Sequence, residues 1–267
     1  MLVSPEERLA YLNLVRIAPV RPLAAFVESF WYMQRDTTGQ NAAHEFMHPG
    51  GGFGIVFDLR GGLSLDGVPI TDPVFLDGTN TRSRTMGFAD TVELVGIRFR
   101  PGGAYPLLGL PLAELTDTTG LLDALRPRPL LALHEQISAA PSVAEKIGLL
   151  QTWLLTRLQP TSEPLVLHSL NVLRERGGQI AIPDLAALLY ISQRQLERLY
   201  HTQVGLTPKQ YARLLRVEAA RFALKQARGA SLAHISAALD YYDQAHFAHE
   251  FKAVVGLSPR TYLQTHP

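Results

Sequence analysis

From Ser192 to Ala212 the chain reads SQRQLERLYHTQVGLTPKQYA, and 51 positions later, from Asp243 to Leu263, it reads DQAHFAHEFKAVVGLSPRTYL. Each copy carries the local chemistry of a capped helix, a glycine stop and a capped restart. Ser192 followed by Gln195 is a capping box, in which hydroxyl and amide satisfy orphan backbone donors at a helix start. Gly205 and Gly256 are placed to take the left-handed conformation that closes a helix. Thr207 and Ser258 then cap the next helix, with Pro208 and Pro259 at its first position, where a missing N–H costs nothing.

The residues before each copy are duplicated as well. Pro183 to Leu189 (PDLAALL) and His234 to Leu239 (HISAAL) are short helical runs, each followed by a turn before the capped helix. Leu185 aligns with Ile235 at an offset of 50 and Ser192 with Asp243 at 51, so the second turn is one residue longer. A short helix, a tight turn and a second helix make a helix-turn-helix, whose second helix fits the major groove of DNA.

Over Leu165 to Thr265 these residues resemble the DNA-binding domain of the AraC family of transcription factors. The resemblance rests on Leu185-Ala186, Ser192, Leu196, Arg198, Gly205, Pro208 and Tyr211, then on Ile235-Ser236, Leu239, Tyr242-Asp243-Gln244, Phe247, Phe251-Lys252, Gly256, Ser258-Pro259 and Tyr262. It implies two helix-turn-helix units joined by a long helix and a double-stranded DNA partner. The sequence supplies that helix from Pro208 to about Ala227, where Tyr211, Leu214, Leu215, Ala219 and Phe222 recur at helical spacing as the expected buried stripe. Because the two recognition helices differ in sequence, the site for one chain is expected to be asymmetric.

Helix faces select the candidate base readers. In the first recognition helix Leu196, Leu199 and Tyr200 are the apolar stripe, which leaves Arg194, Glu197, Arg198 and His201 opposite, with Gln193 and Gln195 at the N-terminal end. Arginine pairs bidentately with guanine, glutamine with adenine, and glutamate accepts from the cytosine amino group, so Arg194 and Arg198 lead. In the second, Phe247, Phe251 and Val254 point inward and Gln244, Ala245, His246, Ala248 and His249 face DNA. His249 stands where the family often carries arginine and Asp240 where it often has glycine. The second unit is therefore expected to supply backbone contacts, with histidines that strengthen binding at mildly acidic pH.

Charge agrees with this division: from Thr161 onward there are twelve Lys/Arg against eight Asp/Glu, and before it thirteen against sixteen. A basic module beside an acidic partner suits salt-dependent nucleic-acid binding. The 267 residues suffice for two domains, 46% hydrophobic content is that of a soluble globular protein, and no apolar run approaches a membrane span or a signal peptide. With no cysteine, disulfides, a thiol redox sensor and cysteine-based alkyl transfer are excluded, and a cytoplasmic location without membrane partners is expected.

Gln159 to Pro164 (QPTSEP) marks a linker. The expected organisation is α+β: residues 1–159 a barrel- or sandwich-like β-rich effector or dimerisation domain with a helical segment at 119–158, and residues 160–267 the DNA-binding domain. Gly54 to Leu59 (GIVFDL), Pro73 to Leu76 (PVFL) and Val92 to Phe99 (VELVGIRF) are the clearest strands. Helices follow near Leu130 to Ser138 and Pro141 to Leu158, the latter with Val143, Ile147, Leu150, Leu154 and Leu158 in one stripe, which either packs on its own domain or forms a homodimer seam.

The N-terminal part resembles an uncharacterised sensor-type domain found ahead of AraC-like modules, through Phe26 to Tyr32 (FVESFWY), Arg98 to Gly103 (RFRPGG) and Leu110-Pro111-Leu112. That implies a small β-rich effector or interaction domain and names no effector; Trp31, His44, Phe46, His48 and Arg98 are the candidate effector contacts, and the aromatic set Trp31, Tyr32, Phe46, Phe53 and Phe57 either lines a cavity or, as the leading reading, forms barrel core. Arg98 and Arg100 are expected to share a strand face, in salt bridges or around an anion. His44-Glu45-Phe46-Met47-His48 matches the zinc hydrolase motif H-E-x-x-H, which needs a helix. Pro49 and three glycines end any helix there, and as a strand His44, Phe46 and His48 share one face. No cofactor, metal or catalytic residue is expected. A sequence-specific regulator that senses a small molecule is the leading reading, with possible contact to RNA polymerase; next comes a regulator whose N-terminal domain only dimerises or contacts proteins, and last a metalloenzyme.

Overall fold

The computed structural model describes residues 13–36, 43–119, 127–158, 165–226, 231–239 and 241–265. The linker Gln159 to Pro164 and Asp240 lie outside these residues.

Among the described residues nine strands come first: β1 (Val15–Ile17), β2 (Val27–Asp36), β3 (Ala43–Met47), β4 (Gly54–Asp58), β5 (Leu63–Leu65), β6 (Val68–Pro69), β7 (Val74–Asp77), β8 (Arg84–Phe88) and β9 (Thr91–Phe99). They form two antiparallel sheets, one of five strands in the order β1-β2-β9-β4-β7 and one of four in the order β3-β8-β5-β6, and not a closed barrel. Met33, Val56, Phe75, Val92 and Leu94 of the larger sheet meet Leu63, Leu65, Met86 and Phe88 of the smaller.

On the other face of the larger sheet, Phe30, Ile55, Phe57, Val95, Ile97 and Phe99 pack against α2 (Pro127–Ala139) and α3 (Val143–Leu155), which follow the short α1 (Tyr105–Leu108). Burial on both faces is why GIVFDL and PVFL are continuous apolar runs instead of alternating ones. Ile147, Leu150 and Leu154 are buried in this layer, and Val143 and Leu158 pack against it. The stripe thus packs on its own domain.

The helical part comprises α4 (Leu165–Glu175), α5 (Ile182–Leu188), α6 (Gln193–Gln203), α7 (Pro208–Gln226), α8 (Leu232–Ala238), α9 (Gln244–Val255) and α10 (Pro259–Thr265). One core runs through all of it, from Leu170 and Leu173 to Phe251 and Tyr262. Among the described residues no helix is long and apolar enough to cross a membrane.

The expected single stripe on α7 is corrected. Tyr211, Ala212 and Leu214 are buried near its start, but Val217, Ala220 and Leu224 are buried further on, and Phe222 is 54% exposed. At about 100° per residue, Phe222 returns to within about 20° of Tyr211, while Leu224 lies on the opposite side. The helix buries one side in the first unit and the other side in the second. Truncating Leu224 to Ala is accordingly expected to cost about 2–5 kcal/mol, and Phe222→Ala to stay within about 0.5 kcal/mol of wild type. Urea unfolding checks both; equal losses would contradict the change of face.

Candidate nucleic-acid interface

Two helix pairs, α5–α6 and α8–α9, repeat the same local construction. The Ser192 hydroxyl accepts from the Gln195 amide at 3.2 Å, and the Asp243 carboxylate accepts from the His246 amide at 2.6 Å. Gly205 and Gly256 close their helices with φ of 81° and 84°. A reciprocal capping box appears at the restart, where Gln210 N donates to Thr207 Oγ1 at 3.1 Å and Thr207 N to Gln210 Oε1 at 2.8 Å. The backbone bonds Ile191 N to Ala186 O and Tyr241 N to Ser236 O, both 3.1 Å, are equivalent, which makes Tyr242 the additional residue of the second turn.

In α6, Leu196 and Tyr200 are fully buried and Leu199 partly so, with the Tyr200 phenol 3.0 Å from Ser169 Oγ, which donates to it, and pushed up in pKa by burial. Gln193, Arg194, Gln195, Glu197, Arg198 and His201 are all exposed on the other side. Arg194 and Arg198 take part in no ion pair among the described residues. Gln193 Nε2 donates to Glu197 Oε1 at 2.8 Å, so these two side chains are already oriented by each other.

In α9, Phe247, Phe251 and Val254 are buried, whereas Gln244, Ala245 and His249 are exposed and Ala248 is half-buried. His246 is exposed yet turned along the helix: its ring meets Tyr241 edge-on at 5.6 Å and its Nε2 lies 3.9 Å from Glu250. Burial, with Glu250 nearby, pushes the Tyr241 phenol up to about 12, so it stays neutral beside this histidine. Both Glu250 carboxylate oxygens accept from the one Nη2 of Arg216 of α7, at 2.9 and 3.0 Å, and Arg216 Nη1 donates to the Gly178 carbonyl at 3.0 Å. That guanidinium ties the loop after α4 to the second recognition helix through a planar fork lysine cannot reproduce.

Two surface residues escape a reading by helix faces. Tyr190 and Tyr242, 97% and 93% exposed, stand in the turns that lead into α6 and α9. Their signal in the sequence is an aromatic residue inside each turn, just ahead of the cap.

The candidate effector contacts do not come together. Trp31 lies on β2 over Gly96, where any Cβ would strike the indole. Arg98 faces Asp77 at 3.7 Å and Glu28 at 4.0 Å, an ion-paired arrangement, and Arg100 lies past the end of β9 with its Nε donating to the Ala24 carbonyl at 3.0 Å. His44 and Phe46 are exposed on β3 of the other sheet, and His48 Nδ1 sits 2.7 Å from Ser83 Oγ. H-E-x-x-H thus begins within a strand and lacks the helix a zinc hydrolase needs. Tyr32, Phe53 and Phe57 are core, as expected.

Comparison with known proteins matches this geometry. A model described as a helix-turn-helix domain covers residues 185–265, and a domain of unknown function (DUF6597) covers residues 15–120. An uncharacterised HTH-type transcriptional regulator, YidL of Escherichia coli (strain K12), is 33% identical over 84 residues, 32% of this chain and 28% of its own length. Another from Haemophilus influenzae is 31% identical over 94 residues, 35% of this chain and 31% of its own length. The chain therefore spans under a third of each of these curated relatives. Among solved structures, ToxT from Vibrio cholerae is 10% identical with a TM-score of 0.43, over 84% of this chain and 97% of that one. Both relatives are named as HTH-type transcriptional regulators. With the duplicated cap, stop and restart lying under the matched model, residues 185–265 form a helix-turn-helix domain similar to those of the HTH-type transcriptional regulators.

Proposed function

We propose that the protein is a sequence-specific DNA-binding transcription regulator of the cytoplasm, with α6 as the principal base reader. The observation that carries this reading is the exposed row Arg194, Glu197, Arg198 and His201 on a helix whose other side is locked into the core. The second reader, α9, offers Gln244, Ala245 and His249 without an arginine, and takes mainly backbone contacts. Between them α7, 19 residues long, spans about 28 Å at 1.5 Å per residue, close to one turn of B-DNA at about 34 Å.

For the N-terminal domain we propose a sensing role, with the effector seated where that domain meets α4 and not between the sheets. A cleft of about 260 Å³ there is lined by Ala25, Arg100, Pro101, Leu167, Leu170 and Arg174, among others. Two guanidinium groups without a carboxylate in the lining favour a small anion such as a carboxylate. In a thermal-shift screen, a small carboxylate at about 100 times its Kd is expected to stabilise the wild type by about 2.7 kcal/mol and Arg174→Ala to abolish the shift. A shift that survives in this variant would move the effector elsewhere.

Selection from random duplexes is expected to enrich one asymmetric sequence. At fixed salt, Arg194→Ala and Arg198→Ala are each expected to weaken binding to it by about 1–3 kcal/mol and to relax preference at one base pair. Failure to enrich any sequence, or variants that bind like wild type, would overturn the assignment.

A further inference from the structure

The segment Gly78–Ser83, between β7 and β8, touches the helical domain at two places, one near the C-terminal end of each of α6 and α9. Thr79 Oγ1 donates to the Val204 carbonyl at 2.9 Å, and Thr116 Oγ1, beside it, donates to the Gly205 carbonyl. Ser83 donates to the Val254 carbonyl twice, from its backbone N at 2.7 Å and its Oγ at 3.1 Å. Val204 and Gly205 end α6 and Val254 lies in the last turn of α9, so one short segment fills orphan carbonyls at the C-terminal ends of both recognition helices.

The segment is itself held. The Asp117 carboxylate accepts from Thr81 N at 2.7 Å and from Thr81 Oγ1 at 2.6 Å, and Asn80 Nδ2 donates to Asp77 Oδ1 at 2.9 Å. A Cβ at Gly78 would fall on the Leu115 carbonyl, which fixes the segment against the turn that carries Thr116. His48 Nδ1 lies 2.7 Å from Ser83 Oγ, and the same ring meets Tyr262 of α10 edge-on at 6.1 Å.

We infer that Thr79, Ser83 and Thr116 are positioning residues for DNA recognition: through the ends of α6 and α9 they set the distance and angle between the two reading helices, and with it the half-site spacing the chain accepts. The shared core binds the two units without direction, whereas these hydrogen bonds are directional. They grip the C-terminal ends, so the exposed rows at Arg194 and Gln244 stay uncovered. The inference rests on the DNA-binding reading above.

The full-length protein is titrated with its selected duplex and with duplexes carrying one base pair more or less between the half-sites. Wild type is expected to reject the altered spacings. In Thr79→Val/Thr116→Val, and independently in Ser83→Ala, the penalty for altered spacing is expected to shrink by about fivefold, the worth of one ordinary hydrogen bond. Thr79→Ser/Thr116→Ser, which keeps the hydroxyls, is expected to restore it. A merely structural role would lower affinity equally for every spacing. Unchanged spacing ratios in variants that fold, or a wild type indifferent to spacing, overturn the inference; Ser83→Ala alone decides if the double variant does not fold. A wild type that selects no sequence overturns the DNA-binding reading itself, and this inference with it.

Discussion

Helix α7 packs against both helix pairs of one continuous core. Its first turns bury Tyr211 and Leu214 beside Leu196 and Tyr200, and its later turns bury Val217, Ala220 and Leu224 in the cluster that holds Phe247 and Phe251. A helix packed on opposite sides by two units cannot rotate for one without disturbing the other. The placement of α6 relative to α9 follows from this, with one rod of about 28 Å between them. Arg216 reinforces the joint, since its guanidinium bridges the Gly178 carbonyl and the Glu250 carboxylate from the same helix.

The two units share a scaffold and differ in what they present. The first shows arginines and a preoriented Gln193–Glu197 pair, and the second shows small or neutral side chains with His246 drawn toward Tyr241 and Glu250. Such inequality suits an asymmetric site in which one half is read by base edges and the other mainly by backbone. The N-terminal domain is joined to both halves, through Thr79 and Thr116 at one end and Ser83 at the other.

What was legible in the sequence was what is local. Caps at Ser192 and Asp243, stops at Gly205 and Gly256 and prolines after Thr207 and Ser258 act over three or four residues, and the structure has each in place. The inward residues of α6 and α9 were legible because each helix packs on one side only. Phe222 was misread because a single period presumes a single buried face. The candidate effector set dispersed because an aromatic or basic residue on a strand carries no sign of which sheet the strand joins, and β3 and β2 lie in different ones. The hydroxyls of Thr79, Ser83 and Thr116 were silent for another reason: isolated threonines and serines in loops have no periodicity, and their partners lie 89 to 171 positions away.

We propose that one chain lays two unequal helices along one face of DNA from a single rigid joint. Hydroxyl-radical footprinting of the full-length protein on its selected duplex tests it most directly. Two protected patches centred about 10 bp apart on the same face, unequal in depth, are the expected result. A single patch, or two of equal depth on opposite faces, would contradict it.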